Sequence, residues 1–569
     1  MPSASQILRA SVIDAGIAQS SLRSSRALML GIILVCATTL WFAVLGGRSL
    51  YDPDEGRYAE ISREMLQSSE WVTPHLNGLV YLEKPPLQYW LTALSFRYFG
   101  ETEAAARLCT GLAGYLSLAI VFFLGRRLWG DAAGLKAVLL TGASALFVLL
   151  GHQATLDMLL NLWMLACLAC LLMAQAERDN RARCRTWMLG CWLAMALAVL
   201  TKGLIGAVVP AATLLLYALW QRDRRVLEGL NIRWGLPLFA VVSAPWFVLA
   251  ARANPQFLRF FFIREHIQRF LTPIEHRSAP WWFFIVVIAA GILPWFPLAL
   301  RTFALSWRGG APRGQFDPSR LLWVWSAFVF VFFSLSDSKL IPYVLPIVPT
   351  LALLCAGRPA GDERFSLAAG SLLSLAASAG IIVYGNVAWH SPPGEALAIP
   401  LAMHRQSGLV WTAGLFAAAA VLCLALLLNK RTQAALAALC VGWFLGSFGL
   451  LIAATEAQQF FSAKALAVEL KNTAEVSSPV YSVQVYDQSL PFYLQRPVVL
   501  VDYRDEFAPG LDQDPTRGIG DLREFADRWR ELQDGYAVMR PSTRDSLEAL
   551  GLPMRELARA PNRVLIGRR

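Results

Sequence analysis

The stretch "YDPDEGRYAE" at residues 51–60 sets Asp52, Asp54, Glu55, Arg57 and Glu60 beside two tyrosines, directly after the apolar run "ALMLGIILVCATTLWFAVLGG". Carboxylates next to an arginine at the edge of such a run can cap a helix, sit in solvent, or act on a ligand. Asp52 followed by Pro53 fits a helix N-cap with proline at the first helical position, and Glu55 stands where a capping-box acid belongs. Tyr58, Ile61 and Met65 recur at helical spacing, which predicts a short amphipathic helix on the membrane surface, with Glu60 and Glu64 solvated. Asp54 is the acid these roles leave over. It falls in the first turn beside Arg57, at a boundary where a desolvated charge requires a partner.

The cations come next. "YLEKPPLQYW" (81–90) holds Glu83 and Lys84 ahead of a Pro-Pro pair that fixes an extended chain. Lys84 either snorkels to the headgroups or, held rigidly, serves as a phosphate ligand. "FFIREHIQRF" (261–270) adds Arg264, His266 and Arg269, although both arginines also suit interface anchors. Lys202 in "LTKG" and Lys339 in "SDSKLIPYVLP" each end an apolar run beside Gly or Pro. Cations gathered on one side of a bilayer point to a shared anionic ligand. His152 and Asp157 flank the turn "HQATLD", where a local hydrogen-bonded pair is the plain alternative. His266 and Glu83 are residue types that suit zinc, without the clustered spacing of a zinc motif.

These residues need elements to hold them. Of 569 residues, 56% are hydrophobic and 16% charged, against about 25% charged in a soluble domain, so the chain is a polytopic membrane protein. Thirteen candidate spans are counted, near 28–48, 106–126, 132–151, 155–175, 186–201, 203–220, 234–252, 281–301, 320–335, 340–356, 366–385, 409–428 and 434–454. The first reads as an uncleaved helix after a polar start. With the N-terminus in the cytoplasm, the six even-numbered exits are basic: "GRRLWG", "ERDNRARCR", "QRDRR", "RTFALSWRGGAPRG", "GRPAGDER" and "NKR". That is the bias of cytoplasmic loops. It puts loops 49–105 and 252–280, and every candidate residue above, on the outer face.

The net charge of +11 lies in those short loops, so nucleic acid is not the expected partner. Cys167 and Cys170 form C-x-x-C in mid-span, where packing is expected rather than redox chemistry. Residues 456–569 differ from the rest. "YSVQVY", "PVVLVDY" and "YAVM" predict strands and "DLREFADRWREL" a helix, so an outer α/β domain follows a membrane domain over 1–455.

Five stretches, "DEGRYAE" (54–60), "YLEKPPLQYW" (81–90), "LTKG" (200–203), "HIQRF" (266–270) and "SKLIPYVLP" (338–346), run in order through the outer loops. In them the sequence resembles the protein O-mannosyltransferase-like type C membrane glycosyltransferases, most closely the bacterial lipid A aminoarabinose transferases. The resemblance implies an all-α membrane domain of about thirteen helices with a periplasmic C-terminal domain. It implies an inner-membrane enzyme that moves 4-amino-4-deoxy-L-arabinose from undecaprenyl phosphate to a lipid A phosphate, giving polymyxin resistance. An acid in the first outer loop is essential in that family, and Asp54 is the matching position.

Residues and resemblance together give a set of expectations. Asp54, Glu55 and Asp157 are catalytic. Lys84, Arg269, Arg57, Lys202, Lys339 and Tyr343 bind the donor phosphate, and Tyr58, Tyr81 and His152 bind substrate. Glu83 and His266 are the candidate zinc pair, with no cofactor otherwise required. The chain acts as a monomer among membrane lipids. Transfer of another sugar, or to protein, is the alternative within the class. A transporter would place charges at the bilayer midplane within internal repeats, and neither is seen.

Overall fold

The fold is that of a computed structural model, which describes residues 29, 31–269, 272, 278–308, 310–357, 363–389, 407–475 and 477–568, leaving aside the side chains of 266, 384–389 and 407. In chain order the first helices are α1 (Gly31–Ala43), α2 (Asp54–Ser68), α3 (Leu87–Phe99), α4 (Glu103–Trp129), α5 (Asp131–Gly142), α6 (Ala145–Gly151), α7 (Leu156–Ala176), α8 (Arg181–Lys202) and α9 (Ile205–Gln221). Within hydrocarbon each backbone group must be satisfied inside its own segment, so the apolar runs become helices.

Each expected span falls on a helix or a bent helix pair, and length and composition alone do not establish thirteen full crossings. Among the described residues eight helices are long and apolar enough to cross a bilayer, or ten spans if each bent pair counts as one. The pairs are α5 with α6, bent by 72°, and Phe283–Gly291 with Leu293–Ser306, bent by 91°. Pro294 opens the second half of the latter pair, where it cannot supply the N–H that would continue the first. Helix α7 lies deepest, with 78% of its most apolar window buried.

The two ends of the bundle differ in chemistry. The basic loops meet at one end. Arg127 pairs with Glu177 at 3.4 Å, Arg178 with Asp223 at 3.6 Å, and the Gln221 amide donates to the carbonyls of Pro312 and Gln315. The other end carries α2, α3, a small hairpin of β1 (His75–Leu76) and β2 (Leu79–Val80), and the C-terminal domain.

That domain follows the last apolar helix, Thr432–Phe461, and is built on one six-stranded sheet. Its strands are β3 (Val480–Val483), β4 (Val499–Val501), β5 (Gly518–Ile519), β6 (Tyr536–Met539), β7 (Met554–Ala560) and β8 (Arg563–Arg568). They lie in the order β5-β4-β3-β6-β8-β7, the first four parallel and the last two antiparallel. The three expected strands are β3, β4 and β6, and the expected helix is Leu522–Glu531, whose first N–H groups are capped by the Asp521 carboxylate.

Helix α2 corrects two expectations. It is not an exposed amphipathic helix with solvated acids, because the C-terminal domain roofs it and ten of its residues are buried. Glu60 is fully buried, held by Arg63 at 2.6 and 2.7 Å, and Glu64 accepts the Gly78 N–H. Nor does Asp52 cap the helix. The helix begins at Asp54, and the Asp52 carboxylate instead accepts from the Ser489 N–H at 2.5 Å and hydroxyl at 2.8 Å. Gly56 makes this contact feasible, since a Cβ there would collide with the Ser489 nitrogen. Asn77 fastens the hairpin to the same domain by exchanging hydrogen bonds with Val498 at 2.7 and 2.8 Å.

Candidate active site

Asp54 and Glu55 are neighbours in sequence and point into different surroundings. Glu55 is fully buried and its oxygens are spent. They accept from Arg48 at 2.5 and 3.1 Å, from Arg107 at 2.7 and 2.9 Å, and from the N–H groups of Tyr51 and Ala154. Burial alone raises its carboxyl pKa, but the two guanidiniums beside it prevail and hold it far below the usual range. The expected catalytic Glu55 is thus a counter-charge that joins the end of α1, the start of α4 and the α6–α7 turn. His152 belongs to the same hub. Its two ring nitrogens face the carbonyls of Val148 at 2.7 Å and Trp41 at 2.9 Å, and its own carbonyl accepts from Arg48. Its polar edge is therefore taken up by backbone rather than open to substrate, and it makes no pair with Asp157.

Asp54 is 41% exposed at its side chain and meets Arg57 at 3.2 Å. Around it stand three buried tyrosines. Tyr58 packs its ring 5.9 Å from that of Tyr89, and the Tyr81 hydroxyl donates to Glu83 at 3.0 Å. Burial pushes all three phenols up, and nearby carboxylates add to it: Asp54 for Tyr58, Glu83 for Tyr81 and Tyr89. The Tyr89 hydroxyl is buried without a hydrogen-bond partner among the described residues. Asp157, whose charge is also felt at Tyr58, accepts from Lys202 at 2.5 Å. Lys202 in turn lies 4.9 Å from the centre of the Tyr343 ring. Asp157, Lys202 and Tyr343 thus form one chain of contacts, and the charges of Asp157 and Asp54 both act on Tyr58.

The second corner is cationic. Lys84 and Arg269 converge on one oxygen of Glu265, at 3.0 and 2.9 Å. Burial raises the Glu265 carboxyl pKa, but Lys84 and Arg269 outweigh it and hold the pKa below the ordinary value. Glu265 sits on the π-helical segment Arg259–Gln268, one turn from Arg269, whereas Lys84 reaches it from 181 residues away in sequence. Any phosphate entering here meets both cations, arranged as charge-assisted donors.

Two other expected donor-phosphate residues are engaged by protein groups. Lys339 donates to the Ser336 carbonyl at 2.6 Å within its own loop. Arg57 is held between two carboxylates, Asp54 and Glu506 of the C-terminal domain. The side chain of His266 is outside the described residues, and among those described no three His, Cys, Asp or Glu side chains cluster as metal ligands. Four participants are missing from the sequence expectations, among them Arg48 of the Glu55 hub. Glu265 is hidden between the cations of "FFIREHIQRF", and Arg107 lies at the start of an apolar span, where its charge is the available signal. Glu506 lies 449 residues from its partner Arg57, a pairing no local pattern encodes.

Residues 24–261 match the family model of dolichyl-phosphate-mannose-protein mannosyltransferase, and 466–568 match that of the aminoarabinose transferase C-terminal domain. An undecaprenyl phosphate-alpha-4-amino-4-deoxy-L-arabinose arabinosyl transferase of Pectobacterium carotovorum is 36% identical over 409 residues, 68% of this chain and 70% of that protein. One of Sodalis glossinidius is 38% identical over 343 residues, and this match covers 59% of the chain and 60% of that relative's length. The crystal structure of ArnT from Cupriavidus metallidurans bound to undecaprenyl phosphate matches with a TM-score of 0.86 at 32% identity, over 95% of this chain and 98% of that one. Its apo state gives 0.84. Fold and site define an integral membrane protein of the mannosyltransferase-like class. Within that class, the chain belongs to the aminoarabinose transferase family.

Proposed function

We propose that the chain transfers 4-amino-4-deoxy-L-arabinose from undecaprenyl phosphate to a phosphate of lipid A. In this reading it sits in the bacterial inner membrane as a monomer, with α2 and the C-terminal domain in the periplasm, and its product lowers outer-leaflet charge and confers polymyxin resistance. The observation that carries the proposal is the pairing of two corners at one end of the bundle. Lys84 and Arg269 offer fixed cations for a lipid-linked phosphate, and Asp54 stands partly open among tyrosines from neighbouring segments.

The chemistry follows from charge. Breaking the bond between the anomeric carbon and the carrier phosphate leaves undecaprenyl phosphate with developing negative charge, which Lys84 and Arg269 stabilise. Preorganised donors of this kind are worth about 10²–10³-fold each. Positive charge develops on the sugar ring, and the sugar carries an amine, so Asp54 and Asp157 hold the reacting sugar from the other side. A lipid A phosphate is already anionic at neutral pH and attacks without a general base. One displacement inverts the anomeric centre. Tyr58, Tyr81 and Tyr343 line the sugar's approach, and Lys202 fixes Asp157.

Mass spectrometry of lipid A from cells with and without the gene tests the proposal. An aminoarabinose increment that appears only with the gene is the expected result. A different sugar increment, or modification of protein with lipid A unchanged, would replace it with the alternative transferase reading.

A further inference from the structure

The C-terminal domain reaches the open corner through Glu506. Glu506 stands in the short turn Asp505–Phe507 beyond β4, and Phe507 anchors that turn by packing edge-on against Tyr486 with ring centres 4.7 Å apart. Both Glu506 oxygens are engaged: Oε2 accepts from Arg57 Nη2 at 2.5 Å, and Oε1 accepts from Gln488 Nε2 at 2.7 Å. Burial raises the Glu506 carboxyl pKa, with Arg57 acting against it. The other end of the guanidinium reaches Asp54 at 3.2 Å, and Arg57 Nε is buried without a hydrogen-bond partner among the described residues. A long, rotamer-rich side chain that contacts Asp54 from one turn away has little reason of its own to hold that pose. Glu506 supplies the reason. With its own oxygens spent, Glu506 is not arranged to take a ligand.

We propose that Glu506 is a positioning residue of the transfer site: by gripping Arg57 it fixes how Asp54 faces the donor sugar, so the C-terminal domain completes the site. The proposal rests on the reading of Asp54 as the carboxylate of transfer. Without the Glu506 charge, Arg57 is free to close onto Asp54 and withdraw it from the sugar, while Lys84 and Arg269, which face Glu265, are untouched.

The test uses the full chain in proteoliposomes with undecaprenyl-phosphate aminoarabinose and lipid A, comparing wild type with Glu506→Gln and Glu506→Asp. A second readout needs no turnover: the rate at which phenylglyoxal modifies Arg57, resolved by peptide mass spectrometry. We expect Glu506→Gln to lower kcat by about 10²-fold, the cost of a misplaced reacting group. Its donor KM should stay within about two-fold, because ground-state binding lies at the other corner. Glu506→Asp should recover part of the rate, and Arg57 should react about ten-fold faster in Glu506→Gln. Unchanged kcat, an equal loss in donor KM, or unchanged Arg57 reactivity would overturn the proposal. If the wild type transfers no aminoarabinose, the functional reading falls, and Arg57 reactivity alone still decides whether Glu506 holds it.

Discussion

Two ionic networks begin on adjacent residues, and they differ in what is left over. At Glu55 two arginines, two backbone N–H groups and burial consume every oxygen lone pair, so nothing remains for a ligand. At Asp54 one arginine meets one oxygen, the side chain is 41% exposed, and a buried tyrosine hydroxyl nearby stands without a partner among the described residues. Saturation marks a joint of the fold, and an unfinished hydrogen-bond count marks a place where chemistry can enter. Sequence proximity hides this difference because a helix turns neighbouring side chains by about 100°.

The saturated network should fail most visibly. Glu55→Ala leaves two guanidiniums buried without their counter-charge, a loss on the order of 3–5 kcal/mol. The expected outcome is a large fall in melting temperature in detergent. A wild-type melting curve would mean that Glu55 is no joint. At the open end, Lys84→Ala should weaken undecaprenyl phosphate binding by about ten-fold or more and leave the melting curve in place. Equal carrier affinity would reduce Lys84 to a surface anchor.

A smaller effect separates buried acids from solvated ones within α2. Burial and then the charge of Glu60 raise the Glu64 carboxyl from its ordinary 4.5 to about 8. A carboxyl raised on folding contributes stability that is full below its ordinary value and is lost as pH rises through the folded one. Wild-type melting temperature should therefore fall between about pH 5 and 8, and Glu64→Gln should flatten that slope. An identical slope in the variant would return Glu64 to solvent.

Much of this molecule was legible in advance because membrane insertion writes itself in local composition. The apolar runs became helices and three strands lie where expected, and the basic loops do share one end. Asp54, Asp157, Lys84 and Arg269 were also legible as candidates, being charges where charge is costly. What escaped was long-range pairing. Asp52 looked like a cap and proved to be a docking carboxylate, because Ser489 arrives from a domain more than 400 residues away. Glu55 reads as a reacting acid until Arg48 and Arg107 close on it, and His152 reads as a substrate ligand or the partner of Asp157 until Trp41 and Val148 take its nitrogens. Hydrogen-bond satisfaction is a property of the assembled fold, and no single loop contains it.

If Asp54 acts on the sugar while Lys84 and Arg269 hold the carrier, removing the Asp54 charge should stop transfer and spare binding. Asparagine at 54 keeps the shape and removes the charge. Purified Asp54→Asn in proteoliposomes with undecaprenyl-phosphate aminoarabinose and lipid A is the direct measurement, read by the lipid A mass increment alongside carrier binding. Transfer should fall by about 10²-fold or more, with carrier affinity and melting temperature as in wild type. Near-normal transfer by Asp54→Asn would refute this division of labour.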